Sequence, residues 1–128
     1  MLLRWMLIFA AGGGGSLLRY LLAGWIQRSS SGAFPWGTFT VNLLGCGAIG
    51  FLASLLTGPL LVREEYRLAI LVGLLGGFTT FSSFSWETLT LAEDGQWWLA
   101  LANILLSNGL GLCAAWLGAR VTLLIYGT

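Results

Sequence analysis

A chain of 128 residues that is 57% hydrophobic and only 9% charged departs far from the soluble norm of roughly 45–50% apolar and about 25% charged, which excludes an ordinary water-soluble domain and points to an integral membrane protein. Six arginines, no lysine and five carboxylates give a net charge of +1, so no nucleic acid or other polyanion partner is indicated. Histidine is absent, and Cys46 and Cys113 each fall inside an apolar run, which suggests small packing residues rather than a metal cluster or a disulfide framework.

Crossing the hydrocarbon core takes about 20 helical residues. Four apolar stretches of that order can be marked: Trp5 to Ile26, Trp36 to Leu56, Leu68 to Leu91 and Trp97 to Tyr126. The connections QRSSSGAFP, TGPLLVREEYR and EDGQ hold the prolines or most of the remaining charge and read as short surface loops. The opening MLLRWMLIFAAGG has the outline of a cleaved leader, but the apolar run resumes at once through SLLRYLLAGWI, so a retained span is expected. At this length one domain over residues 1–128 is expected, an all-α bundle of four membrane helices.

Four spans put both termini on one side. That side would hold Arg4, Arg63, Arg67 and Arg120 against Arg28 and a snorkelling Arg19 on the other, a bias toward cytoplasmic termini. In the first span Arg19 follows GGGGS. An ionisable residue there is a functional or pairing candidate by default, and snorkelling is the other open reading. The second span places Thr38 and Asn42 four apart within GTFTVNLLGCGAIG, and the fourth places Asn103 and Ser107 four apart within ANILLSNGLG. A mid-span asparagine either glues helices together or lines a polar path.

The third span carries GGFTTFSSFSWE, residues 76–87. Inside hydrocarbon, non-helical backbone is tolerated only where protein or water covers it. Gly76 and Gly77 are candidates for a break in the helix, with Thr79 and Thr80 hydroxyls satisfying freed groups, although small residues also serve tight helix packing. A broken helix exposes carbonyls that can hold a small cation. Beyond the break, positions three or four apart share a face. That spacing groups Phe81 with Phe84, Thr80 with Ser83, Phe84 and Glu87, and Ser82 with Ser85. Hydroxyl donors and positive ring edges together can hold a desolvated anion without a full positive charge; packing and back-bonding to the helix are the plainer uses of the same residues. Glu87 falls near the end of the span, where contact with water is expected. Trp97, Trp98, Tyr20, Trp25 and Trp36 suit an aromatic belt at the interfaces.

GGFTTFSSFSWE, preceded by GTFTVNLLG and GGGGSLLRYLL, resembles the Fluc fluoride channel family, also called CrcB, in order and spacing over nearly the whole chain. The resemblance implies a multi-pass protein of the bacterial inner membrane, in which two copies in opposite orientations form an antiparallel, dual-topology homodimer with two fluoride pores. It also implies one structural sodium ion at the dimer centre, held by the carbonyls of Gly76 and Thr79. By the same matching, Phe81 and Phe84 present ring edges to fluoride, and Asn42 is the pore-lining amide. Thr38, Ser107, Ser82 and Ser85 fall on the polar track, Arg19 matches the first-span arginine, and Glu87 is the glutamate closing the motif. The chain departs from the family pattern at Gly111, where relatives can carry a hydroxyl, and at Asn103, where aromatic or histidine side chains occur; Asn103 is taken as a path residue.

Independently of the resemblance, four helices of this size fill the space between themselves with side chains, so a polar path calls for a partner copy. The function expected is passive, selective fluoride conduction lowering cytoplasmic fluoride, with fluoride, membrane lipid and a second copy as partners. A small four-helix multidrug transporter would need a carboxylate deep in the first span, where only Arg19 stands. A non-transporting assembly subunit would use the polar residues as helix glue alone. No nucleophile, base and orienting group stand at recognisable spacing for an enzyme.

Overall fold

A computed structural model describes residues 1–127. Four helical passes are long and apolar enough to cross a membrane: Leu2–Ser29, Trp36–Thr57, Glu64–Glu93 and Trp97–Tyr126. Each expected stretch is present, and the first and third are extended at both ends. Pro35 and Pro59 lie outside the helices, where their missing N–H groups interrupt no ladder.

The first pass is α1 (Leu2–Ser29) and the second α2 (Trp36–Thr57). Gln27 ties the loop between them, its Oε1 accepting the Gly37 amide at 3.0 Å and its Nε2 donating to the Phe34 carbonyl at 3.2 Å. The third pass is composite. It runs through α3 (Glu64–Leu68), a π-helical turn (Ala69–Leu74), α4 (Leu75–Phe78), two extended residues, and α5 (Phe81–Glu93). Gly95, at φ 75°, then reverses the chain; the Gln96 amide bonds back to the Leu91 carbonyl at 2.8 Å, the closure of a left-handed helix cap. The fourth pass is α6 (Trp97–Tyr126).

In lipid there is little hydrophobic force between helices, so close backbone approach and interior hydrogen bonds must hold them together. α2 and α6 form the most extensive pair. A Cβ at Gly50 would overlap the Ala115 carbonyl, and one at Gly118 the Gly47 carbonyl. α1 lies on the third pass in the same manner, with Gly15 against the Leu74 carbonyl and Gly77 against the Gly12 carbonyl. The largest fully buried side chains among the described residues are Val41, Asn103 and Thr122, so two of the three are polar. Thr122 Oγ1 donates to the Phe51 carbonyl at 3.0 Å. Apolar side chains such as Phe9, Leu112 and Leu124 instead face outward, the distribution a lipid solvent favours.

The glycine contacts generate a paired test. Gly15→Ala forces α1 off the third pass and lowers stability by about 1–3 kcal/mol. Gly13→Ala, whose new methyl meets nothing within 4 Å, is neutral or gains up to about 1 kcal/mol through helix propensity. Unfolding midpoints in mixed detergent measure both.

Candidate functional site

The break in the third pass falls at Thr79 (φ −92°, ψ 157°) and Thr80 (φ −149°, ψ 117°). The expectation of a break at Gly76 and Gly77 is therefore corrected by three residues. Both glycines are helical within α4; Gly77 is consumed by packing on α1, while a Cβ at Gly76 would meet nothing. What stops the helix is the set of partners that receives its backbone groups three residues later.

The Thr79 amide and hydroxyl both donate to the Leu75 carbonyl, each at 3.0 Å. The Thr80 amide donates instead to Asn42 Oδ1 at 2.7 Å, and Asn42 Nδ2 donates back to the Thr80 carbonyl at 2.9 Å. One side-chain amide thus replaces both halves of a backbone pairing. Arg19 Nε donates to the Gly77 carbonyl at 3.1 Å, placing a cation at the C-terminal end of α4, where the helix dipole favours positive charge. Thr80 Oγ1 caps α5 by accepting the Ser83 amide at 3.1 Å. The main-chain oxygens left over include those of Gly76 and Thr79, because the amides four residues beyond them, those of Thr80 and Ser83, have gone elsewhere.

Two open cavities flank the break. The first, about 300 Å³, gathers Asn42, Gly76, Thr79, Phe81, Phe84 and Ser107 from three passes. The second, about 560 Å³, is lined by Arg19, Gln27, Thr38, Ser83, Glu87 and Asp94, among others. Thr80 borders both. The Phe81 and Phe84 ring centroids are 5.4 Å apart with planes tilted by 43°. Phe84 is buried, whereas Phe81 is 75% exposed and stands at the open edge of its own cavity.

The remaining candidates divide. Thr38 Oγ1 donates to Glu87 Oε1 at 2.7 Å, while Glu87 Oε2 is buried without a partner. Glu87 lines the open second cavity, and α2 covers one side of its carboxyl through a contact 49 residues distant in sequence. Asn103 lines neither cavity. It is buried between helices, where its Nδ2 donates to Thr88 Oγ1 at 2.8 Å and its Oδ1 accepts from Ser107 Oγ at 3.1 Å, so of its two readings the placement matches helix glue. Ser82 and Ser85 also lie outside both cavities on the exposed face of α5, and Ser85 Oγ donates to the Phe81 carbonyl at 2.9 Å. Among the residues brought to the cavities beyond the expected candidates are Gln27, Asp94 and Asn108. Asn108 could have been found by counting mid-span amides. Among the described residues no cluster of His, Cys, Asp or Glu could hold a metal, so a cation here would depend on main-chain oxygens.

The sequence profile of the family described as CrcB-like protein, Camphor Resistance (CrcB), matches residues 6–119. The chain is similar to the fluoride-specific ion channel FluC of Solibacter usitatus (strain Ellin6076), 49% identical over 117 residues that cover 91% of this chain and 96% of the relative. It is likewise similar to the protein of that name from Nitratidesulfovibrio vulgaris, 47% identical over 88% of this chain and 91% of the relative. The Roseiflexus sp. (strain RS-1) protein of that name is 48% identical over 84% and 86%.

The double contact of Asn42 predicts that Asn42→Leu strands the Thr80 amide and carbonyl, at about 1–3 kcal/mol for a buried unpaired group. Hydrogen exchange should show the Thr80 amide losing protection in that variant, while amides in α6 keep theirs.

Proposed function

The chain belongs to the CrcB family, and from that premise we propose that it is a fluoride-selective channel that passively exports fluoride across the bacterial inner membrane and lowers its cytoplasmic level. The observation that carries this reading is the first cavity, which collects Asn42 from α2, Phe81 and Phe84 from α5 and Ser107 from α6 beside the broken backbone. None of these side chains carries a formal charge. A small anion there meets an amide donor and positive ring edges, which can replace part of its water without binding it so tightly that it cannot leave. The second cavity supplies an approach, with the Arg19 guanidinium in its lining. No step in this conduction calls for an enzyme's chemistry.

The working unit is proposed to be two copies in opposite orientations. A single copy leaves Phe81 uncovered and exposes Ser82, Ser85 and Asn108 within membrane passes, which is costly against lipid and resolved by a protein partner. At the centre of that dimer a structural sodium ion would be held by the Gly76 and Thr79 carbonyls. They fit the role because both have lost their helical donors and because the Gly76 side of α4 is open. Sodium would supply positive charge between main-chain oxygens that would otherwise repel one another, and Arg19 on the Gly77 carbonyl holds the adjoining turn in place.

A fluoride electrode recording efflux from proteoliposomes, with chloride as control, tests the conduction reading. Wild-type protein is expected to release fluoride and retain chloride, and Phe81→Ile or Phe84→Ile to abolish release; unchanged efflux in both variants would remove the ring-edge reading. Exchange into sodium-free buffer is expected to lower the dimer's unfolding temperature, and sodium to restore it, because a ligand bound only to the native state stabilises that state.

A further inference from the structure

If an anion uses the first cavity, the hydrogen-bond donors that reach it can be counted. Most of the hydroxyl protons on its wall are already committed. Ser107 Oγ donates to Asn103 Oδ1 at 3.1 Å, Thr79 Oγ1 to the Leu75 carbonyl at 3.0 Å, and Thr80 Oγ1 to Ser83 Oγ at 3.1 Å. A hydroxyl has one proton, so these three groups offer lone pairs to the cavity and would repel an anion. Asn42 has given Oδ1 and one N–H to Thr80, which leaves its second N–H.

The one other side-chain amide on the wall is Asn108 of α6. Its Nδ2 donates to the Ile104 carbonyl of its own helix at 2.7 Å, a back-bond that fixes the amide plane. A primary amide carries two N–H groups, and Asn108 keeps the second free on an exposed side chain. Its depth is also informative. Asn108 stands eleven residues after Trp97, roughly 17 Å along a helix, near the middle of a hydrocarbon core about 30 Å thick. An exposed amide at that depth is costly unless something polar meets it.

Resting on the channel reading above, we propose that Asn108 is a second anion-donating residue of the fluoride path, acting with Asn42 from a different helix. The specific donors are then two amides and two ring edges, with the hydroxyls spent on bonds within their own passes. Asn42 and Asn108 differ in kind: the first also maintains the break, whereas the second is free of the fold's backbone accounting apart from one bond to its own helix.

The test uses the full-length protein in liposomes, with fluoride efflux, the fluoride-to-chloride permeability ratio and the number of copies per particle by single-molecule photobleaching. Asn108→Leu removes the donor and suits lipid, so folding is retained. Its fluoride efflux is expected to fall about tenfold or more, the weight of one hydrogen bond to a charge, with a lower permeability ratio and an unchanged copy number. Asn108→Gln keeps an amide and is expected to remain within about threefold of wild type. Leu efflux within about twofold of wild type overturns the proposal, as does equal loss in Leu and Gln. A loss of efflux that accompanies a loss of paired copies overturns it in favour of a bond between copies. A wild-type protein that passes no fluoride removes the channel reading itself, a result readable before any variant is made.

Discussion

Hydrocarbon offers no hydrogen bonds, and that single constraint governs the third pass. Interrupting a helix there at Thr79 and Thr80 frees amides and carbonyls whose exposure to lipid would cost several kcal/mol each. Asn42, Arg19 and Thr80 answer most of that demand with side-chain groups from α1, from α2 and from the cap of α5. The oxygens they do not reach, those of Gly76 and Thr79 among them, keep free lone pairs. The polar residues that maintain the interruption, Asn42, Arg19 and Thr80, also border the open cavities.

The same economy explains why polar side chains share the interior with apolar ones. Helices in lipid gain little advantage from hiding leucine from one another, so Gly50 and Gly118 bring backbones together while Asn103 and Thr122 join Val41 among the fully buried side chains. The exposed ion pairs Arg4–Glu64 and Arg63–Glu65, each at 3.4 Å, add little by comparison. Arg4–Glu64 does place the start of α1 beside the start of α3, as an up-and-down bundle requires.

The four passes were legible in the sequence because their signal is length and apolarity, which need no partner to be read. A broken third pass was legible in kind, since glycine, threonine and serine amid apolar residues argue for irregular backbone. Its position was not, because a helix ends where its amides find better acceptors, and Asn42 lies 38 residues from Thr80 in the chain. For the same reason Glu87 could not be matched with Thr38. Asn103 and Asn108 look alike in sequence, both mid-span amides on α6, and only the packing of α5 against α6 turns one inward and leaves the other at a cavity.

The π-helical turn at Ala69–Leu74 sits just before all of this. Such a turn accommodates one residue more than an α turn would, and one residue is about 100° of helical rotation. The segment therefore works as a phase shifter: it sets the azimuth at which Gly73 and Gly77 meet α1 and at which the severed end of α4 points. Natural insertions or deletions in this chain would be tolerated in its loops but not in those six residues, where a change of one would swing the whole downstream apparatus by more than a quarter turn.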